Sequence, residues 1–259
     1  MRQIVFCLAV VGSAVLISMP ACANDEDPTL IGIGLRVRPA YEGANSNRGE
    51  LYPVLRVYRG PLFARTTQGK LEGGARFSPM RGLSVGGQLA YEGGRLADES
   101  AFLKARGNPT VDEGLSIGAH VEYDTKVGAA PLTALARYRK HIDSDRGAQA
   151  DVRVTLGFLD KAGFTAAAFG QLTVADRKEM RGYFGVSPSV AASSGLPAYE
   201  PDAGPRFLSG GVQGGYQLSK GFLLIGSAEV HRLVGDAASS PLVQRKSNGY
   251  VGIGIAYNL

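Results

Sequence analysis

The sequence predicts an all-β fold: a closed antiparallel transmembrane β-barrel of about twelve strands, with ten as the alternative count. Three observations carry this. Segments of about ten residues alternate apolar and polar side chains, the period of a strand with two unlike faces. Turn-forming residues bound these segments, and the 259 residues include 36 Gly and 13 Pro. The mean hydropathy of -0.02 excludes a helical multi-span protein, whereas strand alternation hides an apolar face within just such a mean. With 44% hydrophobic residues and a net charge of +5, the chain is too apolar for disorder.

From the N-terminus, a basic start at Met1-Arg2-Gln3 leads into an apolar run over 4–17 and then Met19-Pro20-Ala21-Cys22-Ala23. This reads as a signal peptide over 1–23, cleaved before Asn24 and too short for a transmembrane helix. Lipoprotein processing at Cys22 is the rival reading, for which Pro20 makes a poor recognition site. Cleavage removes both cysteines, Cys7 and Cys22. It leaves a single barrel domain over 24–259 without thiol chemistry or disulfides.

The expected strands are 30–41, 51–59, 61–68, 70–78, 82–92, 115–125, 131–142, 150–159, 163–175, 206–217, 221–233 and 248–258. The last is the clearest: Val251, Ile253, Ile255, Tyr257 and Leu259 alternate with Tyr250, Gly252, Gly254, Ala256 and Asn258. Residues 61–78 read as one strand or as two joined at Gln68-Gly69-Lys70. Two make the total even. Short turns near 60, 80, 128, 161 and 220 alternate with longer connections at 42–50, 93–114, 143–149, 176–205 and 234–247. An outer-membrane barrel has that pattern, with long loops outside and short turns in the periplasm.

A soluble sandwich would bury the apolar face; a membrane barrel turns it to lipid. The strand length suits a tilted bilayer crossing, and closure leaves no unpaired edge in lipid. Tyr41, Tyr91, Tyr123, Tyr138, Phe158, Phe164, Tyr216 and Tyr257 lie near strand ends, as an interfacial girdle would place them. The lumen then receives Arg36, Arg38, Arg56, Arg65, Arg76, Arg137, Arg139 and Arg153 together with Glu72, Glu122, Asp124, Asp151 and Glu229. Mixed charges in a confined lumen are expected to pair across strands as a hydrated plug, with a small anion-tolerant channel as the functional alternative.

Catalytic signals are weak. Gly82-Leu83-Ser84-Val85-Gly86 and Gly114-Leu115-Ser116-Ile117-Gly118 match a hydrolase elbow, but both serines begin strands where that motif needs a strand-to-helix turn. His120, His141 and His231 are expected to face the lumen. His141, with Asp143 and Asp145, is the best candidate for a rim-sited hydrolase. No metal or dinucleotide motif is present, so no cofactor is expected. The basic residues form no aromatic-interleaved platform for nucleic acid. Arg139, Lys140, Arg177, Lys178 and Arg181 are candidates for contact with outer-membrane lipid, notably lipopolysaccharide phosphates.

Three stretches carry a resemblance. One is Gly182-Tyr183-Phe184-Gly185-Val186-Ser187-Pro188 with Ser194-Gly195-Leu196-Pro197-Ala198-Tyr199. Another is Leu233-Val234-Gly235-Asp236-Ala237-Ala238-Ser239-Ser240-Pro241-Leu242-Val243, and the third is Pro39-Ala40-Tyr41-Glu42-Gly43. In this order, with the Gly-rich last strand, they resemble the MipA/OmpV family of outer-membrane proteins, although the chain ends in Leu259 where Phe is common. The resemblance implies an outer-membrane barrel, and for the MltA-interacting type a scaffold between a lytic transglycosylase and a penicillin-binding murein synthase; with the weak catalytic signals it leads to the expectation of a non-enzymatic protein. Other members resemble surface adhesins. The motif loops have a structural reading as well, folding back to cap the barrel mouth.

Overall fold

The fold is that of a computed structural model describing residues 29–107, 110–143 and 145–259. The signal-peptide reading lies outside these residues. Twelve strands close into one antiparallel barrel, each paired with its sequence neighbours and the first with the last. They are β1 (Leu30–Pro39), β2 (Asn47–Arg59), β3 (Leu62–Thr67), β4 (Lys70–Met80), β5 (Leu83–Glu92), β6 (Gly114–Val127), β7 (Ala130–His141), β8 (Ala148–Lys161), β9 (Phe164–Ala175), β10 (Gly204–Gln217), β11 (Phe222–Leu233) and β12 (Ser247–Asn258). The twelve-strand reading holds, and 61–78 is two strands.

Period-two alternation produces this wall because each strand meets two different solvents. Val37, Leu35, Ile33 and Ile31 stand opposite Val251, Ile253, Ile255 and Tyr257 across the β1–β12 seam, and all eight are exposed on the outer surface. Their neighbours of opposite parity are Gly, Ala and charged residues directed inward. Close approach sets some of these: a Cβ on Gly34 would lie 2.5 Å from the Tyr52 ring. The buried apolar residues form no single globular core. They collect mainly at the long-loop mouth, while the lumen is polar.

The connections fall into two rims. Two-residue turns of left-handed geometry at Gly60, Gly82, Gly128 and Ala162-Gly163 mark the short-turn rim. The opposite rim carries the long connections. There the β5–β6 segment holds a 3-10 turn at Ala97–Glu99 and α1 (Ala101–Ala105), and the β9–β10 segment holds α2 (Arg177–Phe184) and α3 (Pro188–Ser194). A 3-10 helix, Gly235–Ser239, follows β11.

One expectation about the girdle fails. Tyr91, Tyr123, Tyr138, Phe158, Phe164 and Tyr257 are exposed on the outer surface, but Tyr41 is buried. Strand β1 ends at Pro39, and the chain then turns Tyr41 into the mouth, where its hydroxyl donates to the Leu242 carbonyl at 2.8 Å.

Candidate functional site

The lumen charges join into a chain running between strands. Lys70 Nζ lies 2.5 Å from Glu92, whose other oxygen is 3.2 Å from Arg139 Nε. Arg139 continues to Asp151 at 3.2 Å, and Asp151 to Arg137 at 3.0 Å. Arg137 reaches Glu72 at 3.5 Å; Glu72 binds Arg65 at 2.7 Å, and Arg65 meets Glu122 at 3.3 Å. Strand parity is the cause, since Arg137↔Asp151 and Arg65↔Glu72 are register partners across neighbouring strands. The side chains of Arg137, Glu72 and Asp151 are each 0% exposed. An unpaired charge there would be costly, so the alternating signs are what permits burial.

The β3–β4 hairpin carries the network across the lumen. Its tip, Gln68-Gly69, bends inward, and the Gln68 carbonyl accepts from Arg36 Nη1 on β1 at 2.7 Å. The Gln68 amide donates to Gln171 on β9 and to Glu229 on β11, both at 3.1 Å. Gln68 holds φ of 51°, unusual for a residue other than Gly, Asn or Asp. Gly69 has φ of 71°, which favours glycine, and a Cβ there would fall 1.6 Å from Arg36 Nη1 and displace that guanidinium.

The other lumen candidates spread along the barrel. Arg36 and Arg38 share Glu50, with Arg38 Nε at 2.7 Å. Arg153 donates to Gln213 at 3.1 Å and lies 3.6 Å over the Phe169 ring. Glu229 is 2.9 Å from His231, which sits between Phe207 and Tyr250. Near the short-turn rim, Arg56 and Arg76 lie over the Tyr58 ring at 5.9 and 3.9 Å, and Asp124 accepts from Thr133 at 2.5 Å.

Two expectations at the outer rim are corrected. Arg139 is buried between Glu92 and Asp151, because its parity points it inward, and so it is no surface cation. His141 does not meet Asp143 or Asp145, both of which are exposed. Its Nε2 instead lies 3.4 Å from Glu179 of α2, itself bound to Arg206 at 2.6 Å, and Arg206 continues to Glu42 at 2.9 Å. Burial works to raise the Glu179 carboxyl, but the His141 and Arg206 contacts outweigh it and hold the group at about 2. Both motif serines lie within strands: Ser116 donates to Glu92 and Ser84 contacts Ser78.

The motif loops build the mouth. Asp176 caps α2 by accepting from the Glu179 amide at 2.8 Å, and the helix buries Met180 and Phe184 against Phe207, Leu233 and Ala237. A second apolar cluster joins Tyr41 and Ala44 to Leu103, Val186 and Leu242. Polar contacts lace the two together. Tyr183 donates to Gly93 at 2.7 Å, Ser240 to the Phe184 carbonyl at 2.6 Å, and Tyr199 to the Asp236 carbonyl at 2.9 Å. Burial pushes the Tyr183 hydroxyl up to about 12. A Cβ on Gly185 would meet the Arg181 carbonyl at 2.4 Å, and Gly195 ends α3 with φ of 71°. Ser194 accepts from the Leu196 amide; Gly235, with φ of 54°, opens the last 3-10 helix. Pro197 is exposed and Pro241 half-buried.

Sequence reasoning missed Glu50, Gln68, Lys70, Glu92, Glu179 and Arg206. For Glu179 a signal existed, because Asp176-x-x-Glu179 has the spacing of a helix capping box. Gln68 had none, since its partners are distant in sequence.

In structure, the chain is similar to the NanC porin, with a TM-score of 0.50, 10% identity, and coverage of 89% of this chain and 100% of that one. An outer membrane channel from Pseudomonas putida F1 gives a TM-score of 0.44 at 11% identity, covering 92% and 99%. At such identities the likeness concerns the fold. No curated protein matches in sequence. The sequence pattern of one family, described as MltA-interacting protein MipA, matches residues 31–259. The chain therefore belongs to the MipA family of outer-membrane barrels.

Proposed function

We propose that this chain is a non-enzymatic, non-conducting barrel of the outer membrane, exported by a cleaved signal peptide, that holds murein synthesis and turnover enzymes at the envelope. The observation that carries the reading is the crossing of the lumen at the hairpin tip. Gln68 ties the β3–β4 hairpin to β1, β9 and β11, the hairpin's Arg65, Lys70 and Glu72 enter the buried chain of ion pairs, and the motif loops pack together at the mouth. A pore would need a continuous open path along that axis. The buried His141, Ser84 and Ser116 side chains are engaged with structural partners, which supports a role without catalysis.

The family description names an interaction with MltA, a lytic transglycosylase, and the resemblance adds a penicillin-binding murein synthase. With the long loops outward, a murein-side enzyme meets the short-turn rim. That rim displays Arg59, Arg81, Lys126, Lys161 and Lys220 as exposed residues, with Asp160 among them. Such a basic surface suits an acidic face on the partner. Crosslinking intact envelopes and purifying the barrel is expected to enrich a lytic transglycosylase over an unrelated barrel, and Arg59→Glu with Lys161→Glu is expected to reduce it. No enrichment would remove the scaffold role and leave the closed barrel standing.

A further inference from the structure

The long-loop end of the β11–β12 pair carries three cations that belong neither to the lumen network nor to the mouth. Arg232 stands on the outward face of β11, in line with Val230, and its register partner on β12 is Ser247. Arg245 and Lys246 come immediately before Ser247, and all four of Arg232, Arg245, Lys246 and Ser247 are exposed. Their backbone is fixed. The Gln244 and Arg245 amides both donate to the Gly43 carbonyl, at 2.8 and 2.9 Å, and the Leu233 amide donates to the Lys246 carbonyl at 2.8 Å.

Among the described residues, the side chains of Arg232, Arg245 and Lys246 have no ion-pair or hydrogen-bond partner. The flanking carboxylates are turned elsewhere. Asp236 accepts from the Asp202 amide at 2.9 Å, Glu42 is bound to Arg206 at 2.9 Å, and Glu229 faces the lumen beside His231. The cations singled out from the sequence differ in this respect: Arg139 is buried, and Arg177 and Arg181 hold Asp202 and Glu200, each at 2.8 Å. Three cations on one fixed ridge repel one another, and an anion from outside the chain relieves that repulsion.

Apolar surface begins directly beneath them. The outward row next to Arg232 and Ser247 is Gly210, Val230 and Gly249 in register, and the following one is Val212, Ala228 and Val251. Val212, Val230 and Val251 are 47%, 54% and 60% exposed. The glycines keep the wall low beside Val230, and a Cβ on Gly249 would meet no atom within 4 Å. Cations at the rim above a shallow apolar trough match a lipid with an anionic head group. Guanidiniums in particular suit phosphate, which they bind through two parallel hydrogen bonds.

We propose that Arg232, Arg245 and Lys246 bind a phosphate of lipopolysaccharide, the lipid of the outer leaflet that the long-loop rim meets, with an acyl chain lying over Val230 and Ala228. This rim is opposite the one assigned to the murein enzymes, so the two readings stand or fall separately.

Native mass spectrometry of the refolded barrel in a non-ionic detergent tests the site, with diphosphoryl lipid A, its dephosphorylated form and phosphatidylglycerol as separate probes. The diphosphoryl form is expected to be retained in preference to the other two. Arg232→Gln combined with Arg245→Gln is expected to lower its retention about thirtyfold, the scale of two cations at an anionic membrane surface. Lys140→Gln, which removes an exposed cation on β7, is expected to leave retention unchanged. If the double variant fails to close, as heat-modifiable gel mobility would reveal, Ser247→Glu sets a carboxylate beside Arg232 and is expected to lower retention as well. No retention of diphosphoryl lipid A, equal retention by these variants, or equal retention of either other probe would overturn the proposal.

Discussion

The barrel interior and its mouth are two cores built on opposite principles. Inside the wall, burial is electrostatic: Glu72, Arg137, Asp151, Arg139 and Glu92 alternate in sign and satisfy one another. At the mouth, burial is apolar: Phe184, Met180, Leu103 and Leu242 pack as they would in a soluble domain. A membrane barrel spends its apolar side chains on lipid, so its interior must be held by paired charge. The long loops face water on one side and each other on the other, which restores the usual arrangement. One consequence is that damage to either core should leave the other standing.

The largest expected effect tests the interior. Arg137→Ala leaves Glu72 and Asp151 buried without their shared cation, and a loss of roughly 3–5 kcal/mol is expected by denaturant titration of the refolded barrel. A similar loss of about 3–5 kcal/mol is expected locally for Phe184→Ala. It should appear as proteolytic cutting within 176–203, while barrel mobility on unheated gels is unchanged. Simultaneous loss of both readouts would show that the two cores are one.

Acid separates them further. Glu179 is held at about 2 against an ordinary 4.5, so its contribution to the mouth is complete above the ordinary value. It is lost as pH falls through that window toward about 2, because the unfolded carboxyl takes up its proton first. Hydrogen exchange in α2 is expected to rise over this range, and Glu179→Gln should abolish the dependence. Ser240→Ala, which removes the bond to the Phe184 carbonyl, is expected to cost about 1 kcal/mol in the mouth alone. Arg177→Ala breaks an exposed pair with Asp202 and is expected to change stability by less than about 1 kcal/mol.

The wall was legible in the sequence because a strand residue's face depends only on parity. Ile253 and Gly252 declare their sides without knowledge of any other strand. Strand β2 begins four residues earlier than the alternation suggested, since Asn47-Arg48-Gly49-Glu50 has no apolar partner set to reveal it. The mouth was less legible. Helix α2 offers only Met180 and Phe184 as a buried apolar pair, too few for a helical period, and its capping box went unread. The crossing of the lumen could not be read at all, because Gln68 and Glu229 are 161 residues apart and meet only once the barrel curves shut.

Planar-bilayer recording on the refolded, unmodified barrel tests the central claim most directly. A lumen closed by its ion pairs, as proposed, predicts a flat trace at both polarities, with no steps above those of protein-free membranes. Reproducible unitary steps from the unmodified protein would contradict it, and would make the ion-paired lumen a conduction path instead of a core.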